Sequence, residues 1–178
     1  MLRAGLIALA SVTLAACAEE DVMKEIDRKI AERAKAAESA VAEGQAYLAK
    51  NAARAEVKTT PSGLQYEVVR AVAEDLPKPT PTDRVLVHYE GKLIDGTVFD
   101  SSYARNEPIA FVLSEVIPGW TEGLQLMKPG EEFILTLPSD IGYGPQGAGA
   151  DIPPNATLVF KVELLGFDRP DGTSVKAK

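Results

Sequence analysis

Residues 87–111 of this 178-residue chain read VHYEGKLIDGTVFDSSYARNEPIAF and carry its strongest structural signal. Apolar and polar residues alternate at the start of the stretch, as they do in a β-strand with one buried face. Asp95-Gly96 then separates two such runs, and glycine supplies the positive φ that a tight hairpin turn requires. We therefore predict two antiparallel strands, Arg84 to Ile94 and Thr97 to Ser101, joined at this turn.

Further runs with strand-like patterns flank the hairpin, separated by turns that are rich in proline and glycine. These runs are Leu64 to Val72, Ile109 to Leu113, Glu131 to Leu137 and Thr157 to Phe167. The segment from Ser139 to Ala156 is also rich in glycine and proline. Long loops of that composition tend to carry function.

One short helix is predicted from Trp120 to Met127, because proline-glycine pairs at 118–119 and 129–130 bracket it. A sheet and a single short helix bury their apolar faces only if the helix lies across the sheet. The predicted fold class is α+β, a half-barrel. It consists of a curved antiparallel β-sheet of five to six strands wrapped on one short α-helix, preceded by a long N-terminal helix.

The long N-terminal helix is predicted from Glu19 to about Val57, where alanine and charged residues dominate and glycine occurs once, at position 44. Apolar residues recur every three or four positions and form one narrow stripe. Two interpretations stay open: a solvated spacer, or a helix that dimerises or joins a coiled coil. The breaker-rich segment from Thr59 to Gly63 ends the helix.

The first residues have the pattern of a targeting segment, with a basic residue before an apolar run that is short for a membrane span. We assign residues 1–16 to a signal peptide.

Leu14-Ala15-Ala16-Cys17 is similar to the bacterial lipobox, so Cys17 is the predicted lipidation site. The alternative is an ordinary secretory cleavage site beside a cysteine. Ala18, in place of aspartate, is similar to the pattern of lipoproteins sorted to the outer membrane. We thus expect a bacterial cell-envelope protein, lipid-anchored and facing the periplasm.

The composition excludes several classes of function. The formal net charge is −7, so no positive field attracts nucleic acid. One cysteine and one histidine exclude an internal disulfide and a Cys/His-rich zinc site, and we expect neither a metal nor a cofactor. The chain has no Gly-x-Ser-x-Gly motif and no glycine-rich phosphate loop, which argues against hydrolases and kinases. We expect His88 to be a surface or structural residue, because strand alternation puts it opposite Tyr89.

Aromatic and apolar residues lie close to a few polar ones in the second half of the chain, although each aromatic taken singly fits a core position. Together, three motifs are similar to the FKBP-type peptidyl-prolyl isomerases, the tacrolimus-binding immunophilins. The motifs are the stretch at 87–111, EVIPGWTEGLQLMKPGE at 115–131, and GYG at 142–144 followed by IPPNATLVFKVELL at 152–165. The resemblance covers roughly Gly63 to Phe167.

Residues 42–69, AEGQAYLAKNAARAEVKTTPSGLQYEVV, resemble the helix-and-linker entry of the macrophage infectivity potentiator group within that family. In that group a longer helical module before the linker makes a dimer. The resemblance implies a homodimer through the N-terminal helix, although only about forty residues separate Cys17 from the linker here.

The resemblance also implies the site. Its catalytic residues would be Asp100, Tyr143, Tyr89 and Trp120, with Trp120 at the pocket floor. The implied substrate-binding residues are Phe99, Phe111, Val116, Ile117, Ile152, Phe160, Arg105 and Ile109. Arg105 would pair with or orient Asp100, and the backbone N–H of Ile117 would hold a substrate carbonyl. Ile109 stands where many members carry phenylalanine, and Asp151 stands where histidine or an apolar residue is common, which implies an altered peptide preference.

The implied activity is rotation of X–Pro bonds in proline-containing polypeptide clients, with tacrolimus-like macrolides as further ligands. The alternative on the same fold is a low-turnover chaperone or peptide-binding module, and a purely structural lipoprotein would leave the apolar cleft unexplained. The predicted organisation is a signal peptide at 1–16, a lipidated N-terminus and helical spacer at 17–57, an isomerase domain at 58–168 and a C-terminal tail at 169–178.

Overall fold

The computed structural model describes residues 11–177, with side chains from residue 21 onward. Most of the predicted signal peptide and the side chain of the predicted lipidation site, Cys17, lie outside the described residues. Contacts divide the chain into two compact units, with the division between Ala36 and Ala37. The described part of the first unit is helical, and the second unit holds the rest of that helix and the whole sheet.

Helix α1 spans Ser11–Ala52. It ends before the predicted Val57 because Val57–Thr59 forms strand β1 and pairs with strand β2, Gln65–Arg70. Much of its apolar stripe stays exposed, at Val22, Met23, Ile26, Ile30 and Val41. Among the described residues, no helix combines the length and the apolar character that a membrane crossing requires.

The sheet has eight strands, and every pairing in it is antiparallel. After β1 and β2 come β3 Arg84–Leu93, β4 Val98–Ser101, β5 Ile109–Val112, β6 Glu132–Leu137, β7 Leu158–Asp168 and β8 Ser174–Lys176. Their order is β1-β2-β6-β7-β3-β4, with β5 also beside β3 and β8 beside β7. The α+β fold class is confirmed, and each predicted run forms a strand. The prediction of five to six strands missed β1 and β8, which are too short to show a periodicity.

Helix α2 spans Pro118–Leu124. It begins earlier than predicted because proline at the first helical position needs no acceptor for an N–H. The helix ends before Met127, where the N–H groups of Leu126 and Met127 bond to carbonyls three residues back in tight turns. Trp120, Leu124 and Met127 are all buried in the same core cluster as the inner residues of the strands. That packing places Trp120 next to the inner face of the sheet.

Two boundaries differ from the predicted organisation. The compact unit that contains the sheet begins at Ala37 rather than at residue 58, because the C-terminal half of α1 packs on it. The predicted tail at 169–178 contributes strand β8, which pairs with β7 at Gly166 to Asp168. The predicted loop from Ser139 to Ala156 contains two 3-10 turns, Ser139–Ile141 and Gly144–Gln146. Tyr143 lies between these turns.

Candidate active site

A cavity of about 340 Å³ opens between helix α2 and the inner face of the sheet. Strands β3, β4, β5 and β7, the segment before α2, α2 itself and the loop after β6 all contribute to it. The lining residues are Tyr89, Phe99, Asp100, Ile109, Phe111, Glu115, Val116, Ile117, Trp120, Tyr143 and Phe160. The structure therefore brings together side chains from all seven of these parts of the chain.

Trp120 forms the centre of an aromatic cluster. Its ring meets Tyr89 edge-on at 5.1 Å and Phe160 edge-on at 5.2 Å between centroids, and Phe111 at a tilt at 5.4 Å. Such edge-on contacts hold aromatic rings in fixed orientations. Trp120 is only 5% exposed, and its indole Nε1 is the one buried side-chain polar atom without a partner among the described residues. The cluster gives the cavity a rigid apolar wall.

Gly91 makes room for this wall, and the sequence interpretation did not single it out. A Cβ at Gly91 would lie 2.6 Å from the ring of Phe99 and 2.8 Å from the ring of Phe160. Those two rings pack edge-on against each other at 5.6 Å. A glycine inside a strand often marks such a close approach, so the signal was present in the sequence.

Asp100 is held by two donors. The Tyr89 hydroxyl donates to its Oδ2, and the Arg105 guanidinium donates to its Oδ1 in an ion pair. Burial raises the pKa of Asp100, but the hydrogen bonds from Tyr89 and Arg105 and the charge of Arg105 outweigh that effect and leave the pKa below its ordinary value. The side chain is therefore a carboxylate at neutral pH.

Tyr143 offers a free hydroxyl at the cavity. The residue is 39% exposed, and its hydroxyl has no hydrogen-bond partner among the described residues. Burial, and to a lesser degree the charge of Asp100, raises the pKa of Tyr143. The phenol thus keeps its proton at neutral pH and can donate it in a hydrogen bond.

The Ile117 backbone provides a second free donor. Its carbonyl accepts the N–H groups of Trp120 and Thr121 at 2.9 Å and 3.1 Å, where α2 begins. Within the described part of the chain, its own N–H has no acceptor. Ile117 lines the cavity, so this group can bond to a carbonyl that enters it.

Two predicted site residues lie outside the cavity lining. Arg105 contacts the site only through Asp100 and, at 3.4 Å, the Tyr89 hydroxyl. Ile152, predicted as a pocket wall, is 8% exposed and packs in the core cluster that also holds the lining residues Tyr89 and Trp120. Its backbone forms an antiparallel bridge with Ala148, which turns its side chain into the core. Asp151 is exposed and does not line the cavity either.

Glu115 is a lining residue that the sequence interpretation did not assign. It ends the 3-10 turn Leu113–Glu115, just before Val116 and Ile117, and it is exposed. It forms no ion pair among the described residues, whereas Asp100 is paired with Arg105. An unpaired carboxylate at the cavity rim carries no sequence signal of its own, because charged residues are common in surface turns.

His88 lies outside the cavity lining. Its Nδ1 is 3.0 Å from the Ser102 hydroxyl, and its ring stacks on Tyr103 at 4.8 Å between centroids. Ser102 also accepts the backbone N–H of Tyr89 at 2.7 Å. These are the contacts of a structural residue, which is the role that strand alternation predicted for His88.

Comparisons with known proteins agree with the motif resemblance. The family model described as "FKBP-type peptidyl-prolyl cis-trans isomerase" matches residues 76–165. A second, described as "Domain amino terminal to FKBP-type peptidyl-prolyl isomerase", matches residues 5–68. The crystal structure of FkpA from Escherichia coli is similar with a TM-score of 0.83 and 41% identity, over 89% of this chain and 73% of that one.

Two curated proteins are similar in sequence. The probable FKBP-type peptidyl-prolyl cis-trans isomerase FkpA of Neisseria meningitidis serogroup B is 50% identical over 163 residues, which cover 89% of this chain and 59% of that protein. The outer membrane protein MIP of Legionella longbeachae is 45% identical over 142 residues, 80% of this chain and 60% of that protein. This chain thus spans about three fifths of the length of each relative.

The two family models match in the expected order, and the solved structure is similar over 89% of this chain. With half of its aligned residues identical to those of a curated relative, this chain belongs to the FKBP-type peptidyl-prolyl cis-trans isomerase family.

Proposed function

We propose that this protein catalyses cis–trans isomerisation of X–Pro peptide bonds by a non-covalent mechanism. The observation that carries the proposal is the cavity itself, in which a rigid aromatic wall faces two free hydrogen-bond donors. The donors are the Tyr143 hydroxyl and the Ile117 N–H. This arrangement fits a neutral, planar group better than a charged one.

The physics of the amide bond explains why such a cavity accelerates rotation. The planar X–Pro amide is stabilised by a resonance that separates charge, and its loss at the twisted transition state accounts for a barrier of about 18–20 kcal/mol. The twisted form is less polar than the planar one. A water-poor aromatic cavity therefore destabilises the planar form relative to the twisted form.

Hydrogen bonds supply the remaining selectivity for the transition state. We assign to Tyr143 and the Ile117 N–H the task of holding the carbonyls that flank the proline. Asp100, fixed by Tyr89 and Arg105, would place its charge next to the rotating bond. Preorganised groups of this kind need no rearrangement as the bond twists.

The magnitudes suit a mechanism without covalent chemistry. Uncatalysed isomerisation takes roughly 10–100 s. Reaching a typical turnover of about 10–10³ s⁻¹ requires a gain of about 10²–10⁵, or roughly 3–7 kcal/mol. One well-placed hydrogen bond supplies about 3–4 kcal/mol at the upper end of measured cases. A few donors and a desolvating wall are therefore sufficient.

We further propose that the protein acts in the bacterial cell envelope. A relative is named an outer membrane protein, and the lipobox-like residues before Cys17 support attachment through lipid at that residue. Proline-containing segments of exported polypeptides are then its clients, and tacrolimus-like macrolides are candidate ligands of the same cavity.

A homodimer through α1 forms part of the proposal. The exposed stripe at Val22, Ile26 and Ile30 in the first unit supports it, because a lone helix gains stability by covering an apolar face. Sedimentation equilibrium of the purified protein tests this. A mass of one chain at all concentrations would favour the solvated-spacer interpretation.

A chaperone or peptide-binding module with little turnover is the second candidate. Ile109 and Tyr143, both about 40% exposed at the cavity, favour it, because an exposed apolar rim holds extended chains. The two functions differ in the expected effect of variants on suppression of client aggregation. Chaperone action without catalysis predicts that Asp100→Ala and Tyr143→Phe leave suppression of client aggregation unchanged.

The deciding experiment measures isomerisation of a short X–Pro peptide by the purified protein and by its Asp100→Ala and Tyr143→Phe variants. We expect catalysis by the unaltered protein, and kcat/KM to fall by about tenfold or more in each variant, since each removes a group aimed at the transition state. Glu74→Gln, an exposed change remote from the cavity lining, serves as control. A folded protein that gives only the spontaneous rate would refute catalysis.

A further inference from the structure

We propose that the C-terminal half of helix α1, residues 37–52, positions the Tyr143 hydroxyl at the cavity, acting through Gly44 and Asn155. This proposal rests on the proposed function, because Tyr143 is assigned there as a donor to the substrate. It gives the half-helix a part in catalysis, where the sequence suggested a solvated spacer or a dimerising helix.

The first contact is between the helix and the residue that precedes strand β7. Gly44 is buried, and a Cβ at this position would lie 2.4 Å from Thr157 Oγ1. Real side chains do not approach so closely, so the helix backbone rests directly against Thr157. Glycine is a poor helix former, and its single occurrence in an alanine-rich helix is explained by this approach.

The second contact ties the same helix to the loop that carries Tyr143. Asn155 has a φ of 59°, which asparagine tolerates better than most residues. Its side-chain Nδ2 donates to the carbonyl of Ala37 at 3.4 Å, and its backbone N–H donates to the carbonyl of Gly144 at 2.9 Å. Asn155 thus bridges the helix and the residue next to Tyr143.

The loop can transmit a displacement because it is closed on itself. Ala148 and Ile152 exchange backbone hydrogen bonds at 2.9 Å and 3.1 Å, and a Cβ at Gly147 would lie 2.2 Å from the Ile152 carbonyl oxygen. The Tyr143 hydroxyl has no partner of its own among the described residues. The backbone of this loop therefore sets where that hydroxyl lies.

The other end of the half-helix is fixed to the sheet. Asn51 Nδ2 donates to Gln65 Oε1 at 2.8 Å, and Gln65 Nε2 donates to the Leu48 carbonyl at 2.9 Å. Both side chains are buried. A buried hydrogen-bonded pair of this kind is costly to break, so the helix gives the loop a fixed support.

The test begins with Gly44→Ala, which puts a methyl group 2.4 Å from Thr157 Oγ1. We expect kcat/KM on the X–Pro peptide to fall threefold or more. Adding Thr157→Ala removes the clashing oxygen and leaves only a contact of 3.3 Å, so the double variant should recover most of the activity. Gln45→Ala, an exposed change on the same helix, is the matched control and should leave kcat/KM unchanged.

A double-mutant cycle distinguishes positioning from general damage. If Gly44 acts through the Tyr143 hydroxyl, Gly44→Ala has little further effect once Tyr143→Phe has removed that hydroxyl. Asn155→Gly provides a second route, since glycine accepts the left-handed backbone and keeps the bond to Gly144 while losing the side-chain bond to Ala37. It should also reduce kcat/KM, again only when Tyr143 is present.

Tyrosine ring signals in NMR spectra provide a readout that does not depend on turnover. We expect the Tyr143 signals to shift in Gly44→Ala and to return in the Gly44→Ala/Thr157→Ala pair. Unchanged Tyr143 signals, or equal losses of activity with and without the Tyr143 hydroxyl, would overturn the positioning role. An inactive unaltered protein whose Tyr143 signals respond as expected would refute the proposed catalysis and leave the positioning role supported.

Discussion

Asp100 shows how a partly exposed carboxylate becomes fixed in its charged form. Its side chain is 39% exposed, yet the Tyr89 hydroxyl and the Arg105 guanidinium bond to separate oxygens. Burial and the bond to Asp100 raise the pKa of Tyr89, so its proton stays on the phenol and is shared with the carboxylate. Asp100, Tyr89 and Arg105 form one hydrogen-bonded unit next to the aromatic wall.

This unit makes stability depend on pH in a defined window. The pKa of Asp100 lies below its ordinary value of 3.8, so the carboxylate stabilises the fold above pH 3.8 and loses that effect as the pH falls through the folded-state pKa. We expect Asp100→Asn to lower Tm at neutral pH and to match the unaltered protein at strongly acidic pH. Thermal unfolding across pH checks this. A Tm difference that does not shrink as the pH is lowered from neutral to well below 3.8 would contradict it.

Glu115 supplies an unpaired negative charge at the cavity rim. We expect Glu115→Gln to reduce the preference for peptides with a lysine beside proline over those with a glutamate by about two- to fivefold, the range of exposed charge pairs. Peptide kinetics at low and high salt measure it, because screening should remove the effect. Glu74→Gln carries the same charge change away from the cavity and should leave the preference unaltered. Equal ratios for all three proteins would show that Glu115 does not select substrate.

Strand β3 contributes to both the core and the site, because alternate side chains along it lie on the same face. Val85, Val87 and Tyr89 are buried on one face, while His88 stacks on Tyr103 away from the cavity lining. The strand continues to Gly91, where the absence of a side chain admits two aromatic rings. A single strand thereby supplies core packing, the Tyr89 hydroxyl and space for the cavity wall.

Gly91→Ala should therefore disturb both stability and the cavity. The new methyl group would lie within 2.8 Å of both Phe99 and Phe160. Overpacking of this kind costs typically about 1–3 kcal/mol in the free energy of unfolding. Urea unfolding measures the loss relative to the unaltered protein. Equal stability of Gly91→Ala and the unaltered protein would show that the rings move aside freely.

The molecule as a whole combines an apolar cavity with an acidic surface. Its formal net charge of −7 provides no general attraction to anionic phosphates, so attachment to a membrane would depend on lipid rather than on charge. Several acyl chains on one cysteine anchor a protein stably, whereas a single chain binds reversibly.

Cys17→Ser tests the anchor in the cell. We expect the variant to move from the membrane fraction to the soluble fraction, because serine cannot take the thioether-linked lipid. Fractionation followed by immunoblotting measures the shift, with an unrelated lipoprotein as internal control. Continued membrane association of the variant would contradict lipidation at this cysteine.

Much of the fold could be read from local pattern, and the failures were local too. Each of the six predicted runs has enough alternation or apolar length to mark a strand, and the turn at Asp95-Gly96 was marked by its glycine. Strands β1 and β8 have three residues each and exist because a neighbouring edge pairs with them. Nothing in such a short segment signals its partner.

The site residues, too, were predicted from the sequence only in part. The family resemblance of the motifs was sufficient to name Tyr89, Asp100, Trp120 and Tyr143, which the fold brings to one cavity. It did not single out Glu115 or Gly91, and Ile152, which it assigned to the cavity wall, is not among the residues that line the cavity. Side-chain direction in a loop depends on backbone pairing across the loop, which spacing along the chain does not encode.

Local periodicity and turn chemistry in the chain predicted the strands and the short helix, because those signals act between near neighbours, and the resemblance of three motifs pointed to the family. Which distant groups contact one another was settled only in three dimensions. Asn51 donates to Gln65 across a linker, and the backbone at Gly44 packs against Thr157, 113 positions further along the chain. Such contacts depend on the packing of whole elements, so no single stretch of sequence contains them.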